Sequence, residues 1–531
     1  MARNPNRKLA ALLARSGCSH KGFARRVQDV ADARGVRMSC DHTTVQRWLD
    51  GVEPRGMKPL IIAEALSAKL GVPVTVSDIG MNYADPEVAV ATVYPERFAD
   101  SIAAVGQLVR QDLAMHPATG ERPIDPEIWR ELVARWFTDP DDEPEPVLPS
   151  RGLIAADVDL VRAATEMFSG FDYRFGGGRP RLLVAHVLDI EILPTLGRIT
   201  PGMPLASEYL SEVGALLRLG AWTAYDIGAH WLAQAYFTQA LRLAKAAGNR
   251  TLGGRIFAGM SHQANFLGNY QRAVELARAA HEGFRGRGTP TAMAVAWAME
   301  ARAQASLHRG RECAHAIGQA EHWFARRDPA SEPAWLRYFD AAELHAEIAH
   351  CYRDLGQPAK ACRHAELSIE SSEDLYVRSL SFCRIVLATG HLLNGDLDQA
   401  TAIAAGVVDT AADQLRSSRV LAYLSEFRER LIPYQDAKPA RQFTDYITQR
   451  LGSDGQPLIP APRIGALATP AQSGRQCRGA LSSRRSATRL RNSRACSGDS
   501  PAFCRSQVVM LSSRMARSTA KPGHSVTSNP P

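Results

Sequence analysis

A glycine stands at positions 228, 268, 310, 356 and 395, at spacings of 40, 42, 46 and 39 residues, within a long run of amphipathic helical periodicity. Seven residues before each glycine is a small residue: Ala221, Ser261, Ala303, Ala349 and Ala388. Five residues after it comes Ala233, Ala273, Ala361 or Ala400; in the third unit His315 takes that place, between Ala314 and Ala316. Seven further on stand Ala240 and Ala280, then Ser368 and Val407 in the later units. Two helices that cross closely admit only small side chains at the crossing, and glycine permits the left-handed turn between them. Residues 205–451 therefore read as stacked helical pairs that share one concave face. The expected fold class is all-α.

The chain has 531 residues, too many for a single compact core. No run of eighteen apolar residues occurs, so no membrane helix is expected. Arg3, Arg7 and Lys8 precede a short apolar stretch, but Arg15 and the lack of a small-residue cleavage site argue against a signal peptide. The expected location is cytoplasmic. The nine cysteines form no CxxC pair and fit no zinc spacing, so reduced, mostly buried thiols are expected and no metal.

Charge divides unevenly. Residues 1–80 hold 13 Lys and Arg against 7 Asp and Glu, and residues 452–531 hold 12 against 2. The body between them is acidic. Such asymmetry fits a nucleic-acid-binding end joined to a body that does not bind nucleic acid.

Four helical segments can be read in residues 1–80. Leu9, Leu12 and Leu13 give the first an apolar face, and Phe23, Val27 and Val30 the second, at about 21–34. The third spans His42–Leu49, with Asp41 as N-cap and Gly51 as stop. Pro59 opens the fourth at its first turn. In the third helix, Val45, Trp48 and Leu49 face inward, leaving Thr43, Thr44, Gln46 and Arg47 outward. Arg pairs with guanine and Gln with adenine through two hydrogen bonds, while Thr meets a base edge or a thymine methyl. These four are the candidate base contacts on double-stranded DNA. Arg25, Arg26, Arg55 and Lys58 are the candidate phosphate contacts.

Residues 81–150 read as a helical bridge ending in an acidic linker. Thr138–Ser150 carries four prolines and five acids, which cannot pack or form a helix. Residues 151–204 lead into the array. There, Phe175-Gly-Gly-Gly-Arg-Pro180 lacks the Gly-Lys-Ser/Thr of a phosphate loop and reads as a flexible turn between helices. Residues 452–531 are rich in Arg, Ser and Pro without periodicity and read as a disordered basic tail. No Walker, His-Glu-x-x-His or metal-like cluster appears, so neither catalysis nor a cofactor is expected. In the array, Arg255, His262, Asn265, His345 and Tyr352 are candidates to face the groove.

Gly268-Asn-Tyr-Gln-Arg-Ala-Val-Glu-Leu-Ala277 and Gly395-Asp-Leu-Asp-Gln-Ala400 resemble tetratricopeptide repeats, although these units are longer than the usual ~34 residues. The N-terminal unit, with Trp-Leu-x-Gly-x-x-Pro from Trp48 to Pro54, resembles the helix-turn-helix of phage repressors. Arg7–Leu13, the helix at 42–49, the Phe175–Pro180 turn and the array together resemble actinobacterial regulators that pair these two parts. Among those are the negative regulators of differentiation and antibiotic production in Streptomyces. The resemblance implies a homodimeric DNA-binding regulator of development or secondary metabolism, with a protein or peptide held in the repeat groove. The alternative is an adaptor that uses the array to hold proteins and does not read DNA.

Overall fold

A computed structural model describes residues 5–33, 38–54, 58–70, 74, 76, 78–81, 93–114, 124–140, 142, 152–200 and 202–451. Among them the fold is all-helical, as the periodicity predicts. The tail at 452–531 and linker residues 141 and 143–150 lie outside the described residues; the start of the linker packs, contrary to expectation, with Thr138 ending a helix, Asp139 bonded to Arg135 and Asp142 paired with Arg242.

The N-terminal unit holds α1 (Arg7–Ser16), α2 (His20–Ala33), α3 (His42–Leu49) and α4 (Lys58–Leu70). Its own apolar core gathers Leu9, Phe23, Val27, Val45, Ile61 and Leu66, all fully buried. Asn6 ties the unit together. Its side chain caps α1 by accepting from the Leu9 amide at 3.0 Å and donates to the Ile79 carbonyl at 2.8 Å. Its backbone amide reaches the last carbonyl of α3, that of Leu49, at 2.8 Å.

Most of the remaining helices share a second core, and Ala349, Ala361, Ala365 and Val386 form a small separate cluster. α5 (Phe98–Leu113) and α6 (Pro126–Thr138) pack on the array, α5 against its second helix and α6 against its fourth. They cover a polar face. Arg242, almost wholly buried, donates to the Pro95 carbonyl at 2.9 Å and to Asp142 at 2.8 Å. Tyr236 donates to Asp112 at 2.8 Å, and Arg181 pairs with the same carboxylate. Then come α7 (Ala155–Phe175) and α8 (Pro180–Val187), the latter continued through a π-turn at Leu188–Ile192.

The array is a solenoid of five antiparallel pairs: α9 (Ala206–Asp226) with α10 (His230–Ala246), α11 (Arg250–Phe266) with α12 (Tyr270–Phe284), α13 (Pro290–Ser306) with α14 (Gly310–Ala325), α15 (Ala341–Asp354) with α16 (Pro358–Ser371), and α17 (Val377–Leu393) with α18 (Leu397–Asp413). Two further helices, α19 (Ser418–Arg430) and α20 (Lys438–Leu451), pack on the last pair.

Each pair is joined by one left-handed residue, and four of the five are glycines: Gly228, Gly268, Gly356 and Gly395. The third is not Gly310, which opens α14, but His308, at φ 55°. The His308 amide bonds to Ala305 and the Arg309 amide to Gln304, as their counterparts do in every other pair. Counted from His308, the irregular third unit becomes regular. Ala301 stands seven before, Cys313 five after and Ala320 twelve after, all buried. The length anomaly moves to one place, the connection between α14 and α15.

The triple glycine is a turn, as its sequence suggests, but it is packed rather than flexible. The Gly177 amide donates to Asp226 at 2.8 Å and the Gly178 amide to the Arg416 carbonyl at 3.0 Å, while the Arg416 amide bonds to the Phe175 carbonyl at 2.9 Å. A Cβ on Gly177 would lie 2.6 Å from the Thr223 carbonyl oxygen. α7 itself lies against α9, at the start of the array, and against α17, near its end. The solenoid is thereby joined across its own mouth.

Candidate functional site

On α3 the sequence puts apolar residues at 45 and 48, and the fold buries both. Thr43, Gln46 and Arg47 are exposed and Thr44 half-buried. Asp41 caps the helix, accepting from the Thr44 amide at 2.8 Å and from the Thr43 and Thr44 hydroxyls at 2.7 Å each. These bonds, the Thr44 hydroxyl's first, hold its carboxyl far below the usual range. Gln46 donates to Asp50 at 2.9 Å. Both threonine hydroxyls and the Gln46 amide are thus engaged within the helix and must turn outward to meet a base. Arg25 and Arg26 are exposed on α2, which packs on α3, and Lys58 is exposed at the start of α4. Arg55 lies outside the described residues.

The second candidate lies inside the solenoid. The inner faces of α7, α9, α11, α13, α15, α17 and α19 surround a cavity of about 120 Å³. Arginines dominate its polar lining. Arg378 grips Asp172 and lies 3.4 Å from Asp226. Arg419 donates to Asp226 at 2.8 Å and stacks 4.4 Å from the Tyr225 ring centre. Arg302 pairs with Glu347 at 2.6 Å. Arg218 and Arg255 also line the cavity, Arg255 with its guanidinium 4.5 Å from the centre of the Trp335 ring. Burial works against the charge of both, although a guanidinium stays protonated in proteins.

Trp335, Tyr338 and Phe339 come from the long connection between α14 and α15. Glu332 anchors that connection by accepting from the hydroxyls of Thr289 and Thr291, both at 2.5 Å, at the start of α13. The extra length of the third unit is therefore an insertion that carries aromatic side chains into the cavity.

Three titratable groups sit among these arginines. Burial first, then the Arg302 guanidinium, holds His262 and His350 well below the ordinary histidine range. Burial, then Glu347 and Asp340, pushes the Glu343 carboxyl up to about 8. At neutral pH the histidines carry no charge, and Glu343 is shifted toward its neutral form.

Of the groove residues suggested by sequence, Arg255 and His262 line the cavity and Asn265 is buried outside its lining. His345 and Tyr352 lie elsewhere, against His364 of α16, with the two histidine rings' Nδ1 atoms 3.2 Å apart. Sequence reasoning missed Arg218, Arg302, Arg378 and Arg419, which carry no motif. It also missed Trp335 and Tyr338, whose signal was the long third spacing. Among the described residues no cluster of three or more His, Cys, Asp or Glu is arranged for a metal ion, and no helix is long and apolar enough to cross a membrane.

A search of the curated proteins finds no match to the chain. Residues 9–82, the four-helix unit and the segment after it, match the family described as the SP15 N-terminal domain.

Proposed function

We propose that this protein is a cytoplasmic, DNA-binding transcription regulator of the actinobacterial helix-turn-helix and tetratricopeptide kind. In this reading α3 reads the major groove, and the array associates with a protein, a peptide or a second copy of the chain. The observation that carries it is the division of α3. Val45 and Trp48 lock one face into the core, while Thr43, Gln46 and Arg47 stand exposed on a unit with excess positive charge. A short helix fixed in this way, with polar donors near its N-terminus, suits base readout. Arg25, Arg26 and Lys58 supply the phosphate contacts that give register and salt dependence. The sequence resemblance gives the biological direction, control of development or secondary metabolism.

The test is chromatin immunoprecipitation and sequencing of the tagged full-length chain beside an Arg47→Ala, Gln46→Ala variant. Discrete peaks lost in the variant support the reading. Blank occupancy in both overturns it and favours an adaptor. One observation speaks for that second reading: Asp41 and Asp50 occupy the side chains of Thr43, Thr44 and Gln46 and set two carboxylates beside the reading face.

A further inference from the structure

The cavity inside the array contains more positive charge than the chain neutralises. Of its five arginines, Arg302, Arg378 and Arg419 are matched by Glu347, Asp172 and Asp226. Arg218 and Arg255 make no ion pair among the described residues, and neither does the one other carboxyl in the lining, Glu343, so five arginines meet at most four carboxylates. Both residues are half-buried and line the cavity. A charge placed so, without a counter-charge, is strongly unfavourable and is relieved when an anion arrives.

Unmade hydrogen bonds mark the same place. The Nε atoms of Arg218 and Arg302 and the Nδ1 of His350 are buried without a partner, and Arg302 and His350 are each only 6 % exposed. Buried polar atoms are nearly always satisfied, so three orphans around one cavity point to a missing partner, and the two guanidinium Nε–H groups require an acceptor. The walls are aromatic, with Trp335 already stacked on Arg255 and Tyr338 beside it.

We propose that this cavity binds a small organic anion, with a carboxylate or phosphate group held by Arg218 and Arg255 and a planar apolar body packed on Trp335 and Tyr338. The 120 Å³ here is somewhat smaller than the ~150 Å³ cavity that accommodates benzene, so the apolar body is limited to one ring at most. The ligand would enter as an effector, and its binding does not depend on whether α3 reads DNA.

The experiment uses the full-length chain and three probes of one shape: benzoate, phenyl phosphate and the neutral benzyl alcohol. Binding is read by calorimetry and by the thermal midpoint. At least one anion should bind saturably and at least tenfold more tightly than the alcohol; which one wins separates a carboxylate ligand from a phosphate ligand. Arg218→Gln and Arg255→Gln should each abolish that preference. At least one of them should raise the midpoint of the ligand-free chain, because an unmatched charge has been removed. The proposal fails if neither anion outbinds the alcohol, if the preference survives both substitutions, or if both variants lower the ligand-free midpoint.

Discussion

Arg378 holds Asp172 through two parallel hydrogen bonds, Nη1 to Oδ1 at 2.5 Å and Nη2 to Oδ2 at 2.7 Å, across 206 residues of chain. The pair joins α17 to α7, and both side chains are almost wholly buried. Asp226, beside it, receives Arg419 from α19 and the Gly177 amide from the turn after α7. Breaking a buried pair by removing one partner typically costs about 3–5 kcal/mol, because the other charge is left stranded. Asp172→Asn should therefore lower the urea-unfolding free energy by that order. The double variant Asp172→Asn, Arg378→Gln should recover part of the loss, and full additivity would show that the two do not act as a pair.

Gly177→Ala tests the turn directly. Its Cβ would meet the Thr223 carbonyl at 2.6 Å and Thr223 Cα at 2.8 Å, and backbone yields poorly. Overpacking of this kind costs about 1–3 kcal/mol. Gly152→Ala, with nothing within 4 Å of the new carbon, is the control and should leave the thermal midpoint unchanged.

His308→Gly should stabilise the chain. A left-handed backbone costs an L residue about 1–2 kcal/mol, and glycine already fills this position in the other four pairs. Allowing for the greater unfolded freedom of glycine, a net gain of about 0.5–1 kcal/mol by chemical denaturation is expected. A loss would mean that the imidazole makes a contact worth more than the strain.

Acid should weaken the array. His262 and His350 are neutral in the fold with lowered pKa values, whereas in the unfolded chain they take up protons below about 6.5. Their contribution is complete above 6.5 and is lost as pH falls toward the lowered folded values, at about 1.4 kcal/mol per pH unit for each proton. Glu343 opposes them. Its folded pKa is raised from 4.5 to about 8, so its contribution is complete below 4.5 and is lost as pH rises through 8. Two histidines outweigh one glutamate between 6.5 and 4.5. Urea midpoints measured at pH 7 and pH 5 should fall, and His350→Gln should lessen the fall.

On DNA, Arg47→Ala should cost about 1–3 kcal/mol on the cognate site if the guanidinium reads a guanine. Lys58→Ala should instead weaken all sequences alike and reduce the salt slope by about one. Fluorescence anisotropy against salt concentration distinguishes the two patterns.

What could be read in the sequence follows the range of the interactions. α3 begins and ends at His42 and Leu49 because its cap, Asp41, and its anchors, Val45 and Trp48, all lie within ten residues of one another. The helical pairs were legible because small residues recur at their crossings. The third turn misleads because Gly310 stands two residues past the left-handed position that His308 fills. The cavity was mostly illegible. Arg218, Arg302, Arg378 and Arg419 come from four different helices and meet only through the curvature of the solenoid. Trp335 and Tyr338 sit in a connection without periodicity. The joining of α7 to α17 left no local trace, since an Asp and an Arg 206 residues apart carry no pattern.

Open repeat arrays melt from their ends, because a terminal unit touches one neighbour where an internal unit touches two. With α7 and the glycine turn fastened to α17 and Arg416, the first and last pairs here are tied to each other through α7 as well as to their own neighbours. Fraying would then have to begin by releasing this long-range clasp, so amide exchange in α9 and α17 should be as slow as in the central pairs. The clasp also requires contacts between distant parts of the chain, which makes folding slower than a string of local repeats would. A chain that begins at α8, without α7 and the glycine turn, should retain its other helices and lose this uniform protection.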